Sequence, residues 1–346
     1  MEFSLFYFAN DVSDNAGAGR YDLLLDGARF ADEHGFAAVW TPERHFHPFG
    51  GVYPNPAVTG AAVAAVTRRV GVRAGSVVGP LQSPLRVAEE WAVVDNLSGG
   101  RAGISFASGW HPGDFALRPE AYPERKRLLG ETVEQVRRLW RGEALALTDG
   151  LGRPVQVRTY PPPVRRDPPI WLTSSGSPET FRTAGELRCG VLTHLLGQDL
   201  DTLAAKIAVY RESVAAHGWR GHVALMLHTF LGHDPDEVRE TVREPLLRYL
   251  RTSLELSTGT IRTSSTAPAD DADADFIVRR SFERFYQREG LFGTVAHARQ
   301  AVEVLRRAGV DEIACLIDFG VPAKTVLSSL ELLDEVRAAH VDRRMS

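Results

Sequence analysis

With 346 residues, 44% of them hydrophobic and 24% charged, the chain can bury a large core and has an ordinary length for one (β/α) barrel or two smaller domains. A formal net charge of −4, with its arginines scattered rather than gathered in a stripe, argues against a nucleic-acid binder. The two cysteines, Cys189 and Cys315, stand far apart beside apolar residues, which reads as small-residue packing in a reducing compartment and gives no metal site.

The chain enters directly into an apolar strand, residues 3–8, without the basic start and long apolar core of a signal peptide. No apolar run reaches membrane-spanning length, so a cytoplasmic protein without membrane association is expected. Residues 21–34 then read as an amphipathic helix stopped by Gly35, and 37–40 as a second strand. The unit repeats as helix 56–67, strand 70–78, helix 84–97, strand 103–108 and helix 123–140. Further strands fall near 170–173, 190–194, 223–231 and 312–317. Eight strands, each followed by a helix, predict the α/β class and a single (β/α)8 TIM barrel domain over 1–346, with a doubly wound open sheet as the rival topology. Two insertions break the rhythm. Residues 142–168, rich in Pro, Gly and Arg, read as a small hairpin excursion. Residues 257–275 are small, polar and acidic, which predicts mobility; taken on to residue 290, the insertion after the seventh strand reads as a lid over the active-site face or as a solvated surface loop.

A barrel builds its ligand site from the C-terminal ends of its strands. The second strand ends in Trp40-Thr41-Pro42-Glu43-Arg44-His45-Phe46, a cluster of charge and imidazole that must be paired on leaving a core, either as a salt-bridged loop or for chemistry. The other strand ends supply Phe8 and Asn10, Gly75 and Ser76, Ser108 with Trp110 and His111, Ser174 to Ser177, Thr193 and His194, His228, and Asp318. No acid pair stands out, and His45 with His47 lacks the partners of a metal site. His111-Pro112-Gly113-Asp114 reads as a ligand pair or, more simply, as a turn with a capping Asp. Thr173-Ser174-Ser175-Gly176-Ser177-Pro178-Glu179-Thr180 is a small-residue turn entering a helix, either an anion site or an ordinary N-cap followed by Pro. Gly75 and Ser76 leave room for a planar ligand against the backbone, or for tight core packing. Gly17-Ala18-Gly19 lacks the third glycine and the acidic residue of a dinucleotide fingerprint.

Taken in order, several motifs resemble the bacterial-luciferase-like flavin monooxygenases over nearly the whole chain. They are Glu43-Arg44-His45-Phe46 with Asn55-Pro56; Gly75-Ser76 through Pro80 and Ser83-Pro84-Leu85-Arg86; and Glu89 with Asp95-Asn96-Leu97-Ser98-Gly99-Gly100-Arg101. Ser108-Gly109-Trp110 with Asp114-Phe115, the Ser-Gly-Ser turn and Gly293-Thr294 complete the set. Phe6-Tyr7-Phe8 and Ser108-Gly109-Trp110-His111-Pro112 look most like the branch associated with natural-product biosynthesis.

The resemblance implies a (β/α)8 barrel that binds reduced FMN. It matches Gly75-Ser76 to a strand-3 bulge, often a non-proline cis peptide, behind the isoalloxazine. Ser175, Gly176, Ser177 and Thr180 match the phosphate site, Thr193, His194 and Leu195 the sixth-strand wall of the flavin pocket, and Asn10 and Ser108 positions near the ring and ribityl chain. Phe8, Trp110 and His111 are the candidate substrate contacts. Two departures matter. Bacterial luciferase has two adjacent histidines in the second-strand loop, and here Arg44 takes the first place and only His45 remains; where luciferase has a phosphate-binding Arg after strand four, this chain has Ser108.

The activity so implied is that of a two-component FMNH2-dependent monooxygenase, with O2 as co-substrate adding at flavin C4a and the peroxyflavin oxygenating a small organic or carrier-protein-bound natural-product intermediate. His45 is the candidate proton donor, imidazole being the side chain whose ordinary range spans neutrality, with Arg44 stabilising peroxide or enolate charge; the structural alternative is a ring that merely packs or bonds near Glu43. No reductase domain or nicotinamide motif is present, so a separate NAD(P)H–flavin reductase is expected, and the resemblance implies a homodimer paired through early barrel helices. An F420-dependent hydride-transfer oxidoreductase and a catalytically silent flavin-binding protein are the alternative functions.

Overall fold

Alternating strands and helices close a barrel in the computed structural model, which describes residues 1–10, 19–174, 176–262 and 271–341, the side chains of 257–262, 271–276 and 341 excepted. The first half runs β1 (Glu2–Phe6), α1 (Asp22–His34), β2 (Ala38–Thr41), α2 (Pro56–Val66), β3 (Gly71–Val78), α3 (Pro84–Ser98), β4 (Ala102–Ala107) and α4 (Arg125–Trp140). After the hairpin β5 (Leu145–Thr148) and β6 (Pro154–Val157) come β7 (Ile170–Thr173), α5 (Pro178–Glu186), β8 (Gly190–His194), α6 (Leu200–Ala216) and β9 (Val223–Leu231). The chain continues through α7 (Pro235–Arg262), α8 (Asp271–Arg284), β10 (Leu291–Gly293), α9 (Val295–Arg307), β11 (Glu312–Leu316) and α10 (Ala323–Val341). Strands pair in parallel in the order β1-β2-β3-β4-β7-β8-β9-β11, and β11 returns to β1, so the sheet is a closed eight-stranded barrel and the open-sheet alternative falls.

Local chemistry places the boundaries. Asn55 Oδ1 accepts from the Ala57 and Val58 amides at 2.9 and 3.2 Å, and Pro56 follows at the first helical position, which starts α2. Gly35 and Gly99 end α1 and α3 in the left-handed conformation. The 142–168 excursion is an antiparallel hairpin, β5 on β6. β10, a three-residue strand beside the upper end of β9, has no apolar run long enough to mark it in the sequence.

The segment read as a lid is helical in its described part. Its backbone is helical to Arg262 and again from Asp271, and Val278, Phe282 and Phe285 are buried. Tyr286 stacks on Phe292 with ring centroids 5.5 Å apart. These spaced aromatic and aliphatic residues anchor 277–290 on the barrel; residues 263–270 lie outside the described set. Among the described residues no helix is long and apolar enough to cross a membrane.

A polar plug fills the N-terminal half of the barrel. Glu312, fully buried, accepts from Ser4 Oγ at 2.5 Å, Trp40 Nε1 at 2.9 Å and Arg73 Nη1 at 2.7 Å. The Arg73 guanidinium lies 4.9 and 4.6 Å from the Trp40 and Trp171 ring centroids. Trp171 Nε1 donates to His222 Nδ1 at 2.9 Å, and His222 Nε2 lies 3.4 Å from Glu312 Oε2. Burial raises the Glu312 pKa, but Arg73, His222 and Ser4 outweigh it and bring it down to about 2.

Candidate active site

At the other end of the barrel, the strand ends surround a cavity of about 800 Å³. Its β2 side holds the charged cluster. Glu43 is engaged at both oxygens: Oε2 accepts from the Val78 amide at 2.7 Å, and Oε1 accepts from the Gln82 amide and lies 2.9 Å from His45 Nε2. Arg44, only 3% exposed, faces the cavity wall; its Nη1 donates to Asp114 Oδ2 and its Cζ lies 5.6 Å from the Trp110 ring centroid. Nε and Nη2 of Arg44 and Oδ1 of Asp114 are buried without a hydrogen-bond partner among the described residues. Burial lowers the Arg44 pKa against the pull of Asp114, and raises that of Asp114 against the pull of Arg44.

His45 is not on the cavity wall, and reaches it only through Glu43, which is. His111 also stands off the wall, with Nδ1 3.8 Å from Asp114 Oδ1; burial and the charge of Arg44 hold its pKa down to about 4. Asn10 accepts from the Gly50 amide at 3.4 Å and does not line the cavity. Phe8, Ser108 and Trp110 do line it. Asp114, read in the sequence as a turn cap, is instead the partner of Arg44.

On the β3 side the Gly75-Ser76 peptide is cis and the pairing of β3 with β4 shifts register there, as the resemblance implies. A Cβ at Gly75 would lie 2.7 Å from Phe6 Cε2, so glycine is needed for packing as well. Ser76 Oγ shares a hydrogen bond with Thr173 Oγ1, which also bonds Ser105 Oγ at 2.7 Å.

At the head of α5, Ser177, Thr180 and Thr183 face the cavity together with Lys126 of α4. Ser177 occupies the N-cap position, yet its hydroxyl makes no capping bond. Gly176 is not on the wall, and Ser175 lies outside the described residues. Lys126 is the cation that sequence reading missed, because nothing near it in the chain ties it to the Ser-Gly-Ser turn.

The β8 and β9 side is buried. Thr193, His194 and Leu195 line the cavity, and the Thr193 hydroxyl is buried without a partner among the described residues. His194 Nδ1 accepts from the Leu196 amide at 3.1 Å, and burial holds its pKa down to about 4. His228 is pushed further, to about 3, by burial and then by His194, so it stays neutral. An aromatic wall continues from Phe8 to Phe49, Tyr249, His228 and Phe285, with successive ring centroids 5.1, 4.9, 4.9 and 5.4 Å apart. Glu289, at the end of the π-helical turn after α8, brings a buried carboxylate to the cavity; Arg284 Nε lies 2.8 Å from Oε1, and burial raises its pKa. No sequence pattern marked it, since it fell inside the predicted lid.

Behind the wall, Asp318 accepts from the Phe8 and Ala9 amides at 2.7 and 3.0 Å and from Tyr53 OH at 2.9 Å. Burial outweighs these bonds and lifts its pKa to about 7. It fixes the β1 exit that carries Phe8.

Known proteins are similar to this chain in sequence and fold. The chain is 26% identical to the oxygenase component of the flavin-dependent trigonelline monooxygenase of Acinetobacter baylyi, over 99% of this chain and 98% of that one. Monooxygenase RslO1 from Streptomyces bottropensis superposes with a TM-score of 0.82 at 26% identity, covering 99% of this chain and 100% of its own. The oxygenating constituent of 3,6-diketocamphane monooxygenase from Pseudomonas putida, a type II Baeyer–Villiger enzyme solved with FMN, shares the fold at a TM-score of 0.75 and 19% identity over 98% of each chain. Residues 1–312 match the family model of luciferase-like monooxygenases. The chain therefore belongs to the luciferase-like monooxygenase family and is an enzyme of that class.

Proposed function

We propose that the protein is the oxygenase of a two-component system, binding reduced FMN from a separate NAD(P)H–flavin reductase and using O2 to oxygenate a small organic or carrier-protein-bound natural-product intermediate. The observation that carries this reading is one cavity that joins the Gly75-Ser76 bulge, an uncapped serine at the head of α5 and a buried Thr193 hydroxyl without a partner among the described residues. Each is a feature that a planar ring with a phosphate tail would use. The volume, about 800 Å³, lies high in the range of roughly 300–1,000 Å³ usual for a single small-molecule site, and so accommodates cofactor and substrate together.

When bound, reduced FMN supplies the electrons that activate O2. The chain's own residues bind, orient and exclude water. Ser177, Thr180 and Lys126 hold the phosphate, and Lys126 supplies the countercharge for which Ser108 leaves no arginine. Thr193, with its neighbours His194 and Leu195, would wall the flavin, and Ser108 lines the same cavity. Arg44 offers positive charge to oxygen atoms that carry or develop negative charge. His45 holds a proton and communicates with the cavity through Glu43. The aromatic wall keeps water from the reacting centre.

An exposed apolar stripe on neighbouring helices, Val58 on α2 with Val93 and Leu97 on α3, supports pairing of two copies of this chain. The function is tested by titrating the purified protein with FMN and with F420, then following O2 uptake and a hydroxylated product with an added flavin reductase. Preference for F420 would replace the flavin reading with hydride transfer. Flavin binding with no O2-dependent product would leave a silent binding protein, and turnover by this polypeptide with NADH and FMN alone would remove the separate reductase.

A further inference from the structure

The donors and acceptors around Arg44 do not balance. A guanidinium carries five N–H groups. Arg44 commits Nη1 to one oxygen of Asp114, while Nε and Nη2 are buried without an acceptor among the described residues. Of the nearby carboxylates, Glu43 serves the Val78 amide, Gln82 and His45, and Asp114 gives one oxygen to Arg44 while Oδ1 has no partner among the described residues. A buried donor left unsatisfied is destabilising, and more so when charged. Donors therefore outnumber the acceptors left to them, and Arg44 stands at the cavity wall beside Trp110.

Beyond it the wall is aromatic. Phe8, Phe49, Tyr249, His228 and Phe285 follow one another at ring-contact distance, and neutral His228 adds no charge to the row. Flat rings pack well on such a surface. On the oxygenase reading above, we infer that Arg44 anchors an ionised oxygen of the substrate, and that the substrate is an aromatic compound bearing a carboxylate or phenolate. Asp114 holds the guanidinium in place by a single contact.

Binding of matched probes to the flavin-free protein, followed by calorimetry, tests this without turnover. 2-Naphthoate is compared with 2-naphthamide, and 4-nitrophenolate, at a pH above its pKa, with 4-nitroanisole. In the native protein the charged member of at least one pair binds about tenfold tighter or more than its neutral isostere, and which pair does so separates carboxylate from phenolate. The Arg44→Met variant loses that preference while keeping its affinity for the neutral probe. Equal affinity within both pairs, no binding of any probe, or a preference that survives Arg44→Met overturns the inference. Should Arg44→Met fail to fold, the native comparison decides alone, with Arg44→Lys giving a reduced preference. A parallel FMN titration keeps the two readings apart: loss of flavin binding with the anionic preference intact removes the oxygenase reading and leaves the anchor.

Discussion

His45 Nε2 lies 2.9 Å from Glu43 Oε1, and the other oxygen of that carboxylate accepts from the amide of Val78 at the end of β3. The imidazole is thereby coupled to the strand that carries the Gly75-Ser76 bulge without itself reaching the cavity. Its proposed proton role and its structural role make different predictions. In His45→Ala the proton role predicts a fall in kcat of roughly a hundredfold or more with the FMN dissociation constant unchanged. Stopped-flow turnover and flavin titration on the same preparation check it; activity lost only in step with flavin binding would reduce His45 to a prop for Glu43.

Lys126 is placed to answer for the arginine missing at Ser108. Lys126→Ala is expected to weaken FMN binding by about tenfold while leaving riboflavin unaffected, since only the phosphate is charged. The loss should shrink as salt is added, because the lysine is exposed. Fluorescence titrations of both flavins at low and high salt measure this, and an equal loss for riboflavin would assign Lys126 to packing.

Glu312 predicts a pH dependence of stability. Its folded pKa of about 2 lies below the ordinary glutamate value of 4.5, so its contribution is fully present above 4.5 and is lost as pH falls through about 2. Glu312→Gln leaves Arg73 buried beside a neutral partner and should cost about 3–5 kcal/mol at neutral pH. Urea denaturation of both proteins between neutrality and acid should show the native curve falling toward the variant. Parallel curves would mean that the carboxylate is not ionised in the folded barrel.

Leu97→Asp places charge on the exposed apolar stripe of α2 and α3 without entering the core. If two copies pair there, sedimentation will show a dimer for the native protein and a monomer for the variant, with thermal stability of the isolated barrel changed little. A dimer that persists would move the interface elsewhere on the surface.

The alternation of short apolar runs with helical periods determined the α/β class and a parallel sheet from the sequence alone, and eight strand–helix units favoured closure, while the return of β11 to β1 that excludes an open sheet is seen only in the structure. Caps such as Asn55 before Pro56, and Gly35 and Gly99 after their helices, were legible too, since each acts within a few residues of itself. The family motifs indicated which strand ends would face the cavity, and Arg44, Ser76, Ser177, Thr180 and Thr193 are there. What the tertiary structure alone decided is the pairing of charges. Arg44 finds Asp114 across 70 residues and Arg73 finds Glu312 across 239, and Lys126 and Glu289 reach the cavity from helices whose local sequence carries no sign of it. Periodicity reports only which face of an element is buried; which buried group meets which is set by barrel closure, and there desolvation leaves each charge needing a partner that the chain can supply only from far away.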